Sequence, residues 1–135
     1  MTNSTIDEIL SLKTIAMVGI SPKPERASNS VARYMQQQGY TIVPVNPGHA
    51  EILGQKCYPD LKSIPHPVDI VDVFRRAEFT PAVTKAAVGI GAKAVWLQLG
   101  IANDEARQIA EDAGLKFVMN RCIKIEQAFR ETKPT

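Results

Sequence analysis

Residues 14–29 read Thr-Ile-Ala-Met-Val-Gly-Ile-Ser-Pro-Lys-Pro-Glu-Arg-Ala-Ser-Asn, and this stretch decides the fold class. Its first part, Thr14–Ile20, is short and almost wholly apolar, which is typical of a strand buried on both faces of a parallel sheet. The polar part that follows leads into apolar residues at helical spacing, beginning near Ser28. A buried strand, a loop that starts at Gly19 and a helix form the first half of a βαβ unit, so the stretch predicts an α/β fold.

The same alternation of strand and helix patterns continues along the chain. Further strands are predicted at Tyr40–Val45, Asp69–Phe74, Ala94–Leu99 and Leu115–Met119. Helices are predicted at 5–12, 28–38, 81–90, 103–113 and 123–130, three of them ending before Gly39, Gly91 and Gly114. Parallel strands joined by helices require right-handed crossovers. We therefore predict a Rossmann-like doubly wound parallel five-stranded sheet with helices on both faces, in one domain over residues 1–135.

Two helix starts carry recognisable signals. Ser28 or Asn29 is expected to cap the second helix, because these short polar side chains accept bonds from the first free N–H groups. Thr80 is expected to cap the third helix, with Pro81 at the first helical position, where the missing N–H of proline is harmless.

A ligand site is expected at one edge of this sheet. The strand order of a doubly wound sheet reverses beside the first strand, and ligands bind there, outside the carboxyl ends of the strands. In this chain that edge is formed by Gly19–Asn29, Pro44–Gly48 and Phe74–Glu78. The connection 49–67 is predicted to be a loop with a short helical turn near Leu61.

The loop after the first strand has the chemistry of a phosphate site. Gly19 lets the backbone turn tightly, Ser21 offers a hydroxyl, and free N–H groups at Ser28–Ser30 begin a helix whose dipole favours an anion. Lys23 and Arg26 add positive charge. The loop is not a complete Gly-x-Gly-x-x-Gly motif, since Ser21 stands in place of the second glycine. A phosphate or pyrophosphate site and an ordinary loop before a capped helix therefore both remain open.

The end of the second strand reads Pro44-Val45-Asn46-Pro47-Gly48 and contains no acid. A site for NAD has an acidic residue at this point to hold the ribose hydroxyls, so the segment argues against NAD. Its prolines make a rigid, mostly apolar edge against which an adenine ring could lie. The alternative is a cluster of turn-forming residues that only ends the strand.

Composition and charge exclude several classes of protein. The net charge is +2 without a basic run, which does not favour nucleic acid as a partner. No apolar run approaches the roughly 20 residues that span a bilayer, and the polar N-terminus does not resemble a signal peptide, so we expect a cytoplasmic protein. Cys57 and Cys122 form no Cys-x-x-Cys motif, which favours reduced thiols over a disulfide or redox pair. No cluster of His, Cys and Asp has the spacing of a metal site.

Several segments together carry a resemblance to a known family. They are Val-Gly-x-Ser-x-x-Pro-x-Arg-x-Ser at Val18–Ser28, and then Gly39–Tyr40, Pro44–Pro47, Asp69–Arg75, Ala94–Gln98 and Val118–Cys122. With these segments in this order, the chain resembles the small stand-alone CoA-binding proteins over about Ile6–Glu126. Those proteins are similar to the N-terminal domain of the succinyl-CoA synthetase α subunit. The resemblance implies a single CoA-binding Rossmann-like domain, with CoA or acyl-CoA lying across the carboxyl ends of the strands.

The resemblance also implies three groups of ligand contacts. Around the phosphates it places Gly19, Ser21, Lys23, Arg26 and Ser28. On the adenosine side it places Pro44, Val45, Asn46 and Pro47. Beside the arm of the ligand it places Val73, Phe74 and Arg75, whereas Trp96 and Gln98 receive no firm role. The pair Arg75-Arg76 could hold the 3′-phosphate of CoA, because Arg presents a planar fork to phosphate oxygens, or could belong to a solvated loop.

Catalysis does not follow from the resemblance. The phosphorylated histidine of the synthetase lies in a second domain that the resemblance does not reach, and His49 and His66 are expected in surface loops. Asp69 and Asp72 are three apart on a strand and face opposite sides, so they cannot form an acid–base pair. We predict a non-catalytic CoA-binding module that is a monomer or weak homo-oligomer. The alternatives are the CoA-site subunit of a split acyl-CoA synthetase with an ATP-grasp protein partner, or an enzyme acting on a nucleotide or acyl-CoA.

Two further residues have open roles. Cys122 follows the fifth strand near the predicted ligand edge, where its thiol could exchange with the thiol of CoA. The favoured alternative is an inert cysteine. Asp72 interrupts an apolar run, so we expect it either to find a partner or to lie near the strand end.

Overall fold

A parallel sheet of five strands forms the centre of the computed structural model, which describes residues 2–131. The strands in chain order are β1 Thr14–Val18, β2 Thr41–Val45, β3 Glu51–Ile52, β4 Gln55–Lys56, β5 Ile70–Val73, β6 Ala94–Leu97 and β7 Lys116–Val118. The large sheet has the order β2-β1-β5-β6-β7, and every neighbouring pair is parallel. β3 and β4 form a separate antiparallel hairpin. Position 1 and positions 132–135 of the predicted domain lie outside the described residues.

Helices cover both faces of this sheet. They are α1 Asn3–Leu10, α2 Ala27–Gln37, α3 Thr80–Gly89, α4 Asp104–Asp112 and α5 Ile123–Glu131. Side chains of α1, α2 and α5 pack with Ile15 and Met17 on one face. Side chains of α3 and α4 pack with Ala16 and Val18 on the other face. The predicted Rossmann-like, doubly wound arrangement is therefore confirmed.

All five predicted strands of the large sheet are present, and each is shorter than predicted. Alternate residues of β1 enter opposite layers, and every residue after Thr14 is buried, which is why the strand reads as an apolar run. β1 ends at Val18 rather than at Ile20, because Gly19 leaves the strand with a φ of 87°. Phe74 and Leu99 likewise lie beyond β5 and β6, so an apolar side chain does not mark the last residue of a strand.

The predicted cap of α2 is wrong. The helix begins at Ala27 with Arg26 as its N-cap residue, and no side chain makes a capping hydrogen bond. Ser28 and Asn29 lie inside the first turn, and their side chains bond the loop that precedes the helix. Sequence misleads here because Ser and Asn side chains bond nearby backbone groups in several local geometries.

The predicted cap of α3 is also wrong. Thr80 is already helical, and its hydroxyl donates to the Ala77 carbonyl in a 3₁₀ turn that spans Ala77–Phe79. α1 begins two residues earlier than predicted, because the Thr2 hydroxyl caps it by accepting from the Thr5 N–H. The glycines at 39, 91 and 114 follow the ends of α2, α3 and α4 as predicted. Among residues 2–131, no helix has the length and apolar character needed to cross a membrane.

The connection between β2 and β5 is more ordered than the predicted loop. It contains the β3–β4 hairpin and then a 3₁₀ turn at Leu61–Ser63, where the helical turn was predicted. Tyr58 runs parallel to the end of β2, and its N–H donates to the Pro44 carbonyl over 3.0 Å. The chain thus returns to the carboxyl end of β2 after the hairpin, which brings Pro59 and Asp60 to the predicted ligand edge.

Candidate ligand-binding site

The carboxyl ends of β1, β2 and β5 meet where the strand order reverses. β2 lies on one side of β1 and β5 on the other. The Gly19 N–H donates to the Val45 carbonyl over 3.0 Å, and the Phe74 N–H donates to the Val18 carbonyl over 2.8 Å. These bonds extend the sheet by one residue and fix the three loops that begin there.

Gly19 is required at this junction for two independent reasons. Its φ of 87° is disfavoured for any residue with a side chain. A Cβ atom at this position would also lie 2.5 Å from the Phe74 carbonyl oxygen, which is backbone and cannot move aside. The prediction that a glycine turns the chain here is confirmed, and the structure adds the close approach of the β5 end.

Side chains from α2 hold the loop that follows Gly19. The Ser21 N–H donates to the Ser28 hydroxyl over 2.9 Å, and the Asn29 side-chain amide donates to the Ser21 carbonyl over 2.9 Å. The Ser21 hydroxyl accepts from the Lys23 N–H over 3.1 Å, which closes a tight turn. The loop is therefore shaped by its own hydrogen bonds. Asn29, which the sequence analysis considered only as a cap, is central to this network.

Arg33 anchors the far side of the same loop. Its guanidinium donates to the Asn29 side-chain oxygen and to the Pro24 carbonyl, each over 2.9 Å. The Ser30 N–H is used within the helix because it donates to the Arg26 carbonyl, so the expectation of a free N–H at Ser30 is wrong. The unpaired N–H groups are those of the first helical turn, at 27–29. The side chains of Lys23 and Arg26 are exposed beside them.

Asn46 connects the ends of β1 and β2. Its side-chain amide donates to the Ile20 carbonyl over 2.7 Å, and its backbone N–H donates to the Tyr58 carbonyl over 2.9 Å. The Cys57 thiol lies beneath it and donates to the Asn46 carbonyl over 3.4 Å. Burial raises the pKa of Cys57, although the bond to Asn46 acts in the opposite direction. Cys57 is therefore a buried structural thiol.

A cleft of about 420 Å³ opens between these strand ends and α3, and we call it the β1–β2 cleft. Of the predicted contacts it is lined by Gly19, Val45, Asn46, Pro47 and Arg75. Ser21, Lys23 and Arg26 of the adjoining loop, and Ser28 at the start of α2, do not line it. Pro44 and Val73 are buried within their strands, and Phe74 is half-buried against the core on the α2 side. The remaining walls are the apolar face of α3 and the turn at 59–61.

Asp60 is a charged residue of this cleft that the sequence analysis missed. Its carboxylate accepts from both the N–H and the hydroxyl of Ser63, over 2.9 and 2.7 Å, and these two bonds lower its pKa. The segment 44–48 itself contains no acid, but Asp60 reaches the end of β2 through the pairing of Tyr58 with Val45. No local pattern could have indicated this, because the pairing joins residues on either side of a hairpin.

The two arginines after β5 have different environments. Arg75 lines the β1–β2 cleft, and its guanidinium lies 4.5 Å from the centre of the Phe79 ring. Arg76 lies 5.2 Å from the same ring and forms an exposed ion pair with Glu78 over 3.5 Å. Arg75 is therefore the member of the pair that can meet a ligand in the cleft, and Arg76 belongs to the solvated surface.

A second cleft, the β6–β7 cleft, lies at the same edge over the ends of β6 and β7. Its volume is also about 420 Å³, and Leu99, Ala102, Met119, Cys122 and Ile125 supply its apolar and thiol lining. Arg121 and Glu126 line it as well and pair with each other over 3.4 Å. Both Cys57 and Cys122 are free thiols.

Trp96 and Gln98 support the segment that forms this second cleft. The Trp96 indole N–H donates to the Arg121 carbonyl over 2.8 Å, and the Gln98 side-chain oxygen accepts from the Ile123 N–H over 3.1 Å. Both side chains are buried. They therefore position the chain between β7 and α5 and do not themselves face the edge where a ligand would bind.

Asp72 is fully buried in the layer covered by α1, α2 and α5, beside Met17 and Trp96. Its carboxyl oxygens find no hydrogen-bond partner of good geometry among residues 2–131. Burial raises its pKa well above the ordinary value, and the nearby Val73 N–H lowers it only in part. The expectation of a partner is wrong, and the alternative is correct, since Asp72 is the next-to-last residue of β5.

The remaining candidate groups do not assemble into a second site. His49 and His66 are exposed, and a ring nitrogen of His66 lies 3.0 Å from the adjacent Pro67 carbonyl. Within residues 2–131, no group of three His, Cys, Asp or Glu side chains could hold a metal ion.

Residues 13–128 match the family model described as the CoA binding domain. The chain belongs to the CoA-binding domain family. The part of this CoA-binding domain that matches includes every strand of the large sheet and both clefts at its carboxyl edge.

Relatives of this CoA-binding domain include both small proteins and large ligases. It is 44% identical to the uncharacterized protein YneT of Bacillus subtilis over 124 residues, which cover 91% of this chain and 92% of YneT. It is 26% identical to an ADP-forming acetate–CoA ligase of Archaeoglobus fulgidus over 121 residues, covering 82% of this chain but only 18% of the ligase. A hypothetical protein from Pyrococcus horikoshii has the same fold, with a TM-score of 0.91 and 44% identity, covering 96% of this chain and 92% of that protein.

Proposed function

We propose that this protein binds coenzyme A, or an acyl-CoA, across the carboxyl ends of the parallel strands as a non-catalytic binding module. The observation that carries the proposal is the match of residues 13–128 to the CoA-binding domain family. The β1–β2 cleft lies at the point where the strand order reverses, which is where doubly wound sheets bind nucleotides.

The proposal assigns one part of CoA to each part of the edge. The adenosine lies in the β1–β2 cleft against Val45 and Pro47, and Arg75 faces its 3′-phosphate. The pyrophosphate lies at the start of α2, where unpaired N–H groups and the exposed Lys23 and Arg26 favour an anion. Asp60 lines the same cleft, where its carboxylate can accept from a ribose hydroxyl.

A second role is favoured by the match to part of a larger enzyme. The chain aligns with 18% of the Archaeoglobus fulgidus acetate–CoA ligase, so the match is to one part of that enzyme. In this role the chain supplies the CoA site to a separate ATP-grasp protein. Acyl-CoA synthetase turnover is then expected only when the two proteins are mixed. Turnover by the purified chain alone would instead indicate an enzyme acting on a nucleotide or acyl-CoA.

Location and assembly complete the proposal. We place the protein in the cytoplasm, as a single CoA-binding domain that is a monomer or weak homo-oligomer. Neither nucleic acid nor a membrane is a proposed partner, because the net charge of +2 is spread without a basic run.

The proposal is tested by calorimetric titration of the purified protein with CoA, dephospho-CoA, ADP and NAD. We expect CoA to bind with a Kd on the order of micromolar, and dephospho-CoA to bind more weakly because it lacks the phosphate that meets Arg75. Arg26→Ala should raise the Kd for CoA about tenfold, since a charge-assisted contact to phosphate is lost. Arg107→Ala is the control, because Arg107 pairs with Asp104 on α4 and lines neither cleft. Absence of CoA binding at about millimolar ligand would contradict the proposal.

A further inference from the structure

The spacing of the strands sets the distance between the phosphate loop and the β6–β7 cleft. The phosphate loop follows β1, and the β6–β7 cleft lies over β7, with β5 and β6 between them. Neighbouring strands lie about 4.8 Å apart, so three spacings place the second cleft about 14 Å from the phosphate loop.

The arm of CoA has the length to bridge this distance. From the pyrophosphate oxygen to the sulfur it contains about 12 bonds, the equivalent of about four extended residues, and so spans about 14 Å. A CoA molecule with its pyrophosphate at the start of α2 and its arm laid over β5 and β6 therefore carries its sulfur to the β6–β7 cleft. Gly19 lies against the backbone that follows β5, so no gap separates β1 from β5 at the start of this path.

The lining of the β6–β7 cleft suits an uncharged, apolar group. Leu99 is 64% exposed and Ile125 is 58% exposed, although large apolar side chains are usually buried. The charges in the lining compensate each other, because Arg121 pairs with Glu126, which also pairs with Arg130 of α5 over 3.1 Å. An anion therefore finds no free charge in this cleft, in contrast to the loop that carries Lys23 and Arg26.

From this reach and this lining we infer that the β6–β7 cleft receives the thiol end of the bound CoA together with a short, uncharged acyl group joined to it as a thioester. The inference rests on the proposed binding of CoA at the β1–β2 cleft. It makes the protein selective for short-chain acyl-CoA over free CoA, and it assigns Leu99 and Ile125 as the residues that set this preference.

The acyl preference is tested by calorimetric titration with CoA, acetyl-CoA and butyryl-CoA. Complete burial of one methylene lowers the Kd about fourfold. Because the cleft is open on one side, the butyryl group is only partly buried. Butyryl-CoA should therefore bind about tenfold more tightly than CoA. Ile125→Ser should remove most of this gain, because it raises the Kd for butyryl-CoA far more than the Kd for CoA. Phe129→Ser is the matched control, because Phe129 is 62% exposed on the same helix but does not line the cleft.

Equal Kd values for CoA and butyryl-CoA would overturn the inference while leaving the proposed function intact. Loss of binding for every ligand would remove both. If Ile125→Ser instead converts a dimer into a monomer without changing the acyl preference, the exposed residues form an interface between copies and the inference is wrong.

The position of the sulfur is tested separately with the disulfide of CoA as the probe. A Cys122 thiolate attacks one sulfur of this disulfide, a Cys122–CoA disulfide forms, and the second CoA leaves as its thiolate, so no external oxidant is needed. We expect mass spectrometry to find one CoA on Cys122, and none on the buried Cys57 or in Cys122→Ser. Excess free ADP should slow the labelling because it competes for the adenosine site. Labelling that ADP does not slow, or labelling of Cys57 alone, contradicts the proposed path of the arm.

Discussion

At the scale of single residues, the clearest prediction about stability concerns a substitution of Gly19. Gly19→Ala combines a strained φ with a Cβ atom 2.5 Å from the Phe74 carbonyl oxygen, so the free energy of unfolding should fall by about 2–4 kcal/mol. Gly48→Ala is the control. Gly48 has a φ of 93° but nothing within 4 Å of the added atom, so it should lose only about 1 kcal/mol. Urea unfolding measures the free energy of unfolding of both variants. Equal losses would show that the structure relieves the contact with the Phe74 carbonyl without a loss of stability.

Asp72 gives an expectation for pH dependence at the same scale. Because burial raises the pKa of Asp72 in the folded state above its unfolded value near 4, the folded protein binds its proton more tightly than the unfolded chain does. The contribution of Asp72 to the free energy of unfolding is therefore fully present below about pH 4. It is lost as the pH rises towards the pKa of Asp72 in the folded state. The free energy of unfolding should fall over this range in the wild type and much less in Asp72→Asn, as measured by urea unfolding at each pH.

Asp69 serves as the control for general effects of pH, because its pKa is shifted in the opposite direction to that of Asp72. Partial burial raises its pKa, but hydrogen bonds from the Thr14 and Lys13 N–H groups and the Lys93 ammonium outweigh burial and lower it overall. The contribution of Asp69 to the free energy of unfolding is present above the pKa of this residue in the unfolded chain. It is lost as the pH falls through its pKa in the folded state. Asp69→Asn should therefore lose stability at neutral pH, whereas Asp72→Asn should gain it. The same sign for both variants would refute this account of Asp72.

At the scale of elements, the unit formed by the phosphate loop and α2 depends on Arg33. Arg33→Ala removes the bonds to Asn29 and to the Pro24 carbonyl, so the loop should become mobile before CoA binds. We expect the Kd for CoA to rise about threefold to tenfold, because ordering the loop then opposes binding. Calorimetry measures the Kd, and hydrogen exchange at 21–26 measures the mobility. A raised Kd without faster exchange would mean that Arg33 touches the ligand directly. Arg107→Ala again serves as the control.

The same unit shows what local sequence could and could not predict. The polar residues at 28 and 29 were expected to cap the helix, but they bond the Ser21 backbone across the loop. Both outcomes use the same residue types at the same spacing, so the difference lies in the path of the loop. The buried strands, by contrast, were predictable because short, almost wholly apolar runs that alternate with helical patterns are typical of parallel strands buried on both faces.

At the scale of the whole molecule, the sheet and the edge proposed to bind ligand follow from the order of the strand and helix patterns. The two clefts do not. Asp60 reaches the β1–β2 cleft through the pairing of Tyr58 with Val45, and the β6–β7 cleft is formed by segments that meet only in the folded chain. The resemblance implies Pro44 and Val73 as contacts, but the structure buries both within their strands because helices cover both faces of the sheet.

The edge of the sheet is held together by main-chain bonds among Gly19, Val45, Phe74 and Val18. The side chains that face the β1–β2 cleft at Pro47 and Arg75 are exposed and form no part of this framework. Substitutions at these two positions are therefore expected to change what the cleft recognises at a smaller cost in folding than Gly19→Ala. An ancestral protein with this framework would be free to acquire new ligands by single mutations, and ligand preference is expected to diverge among descendants faster than the fold does.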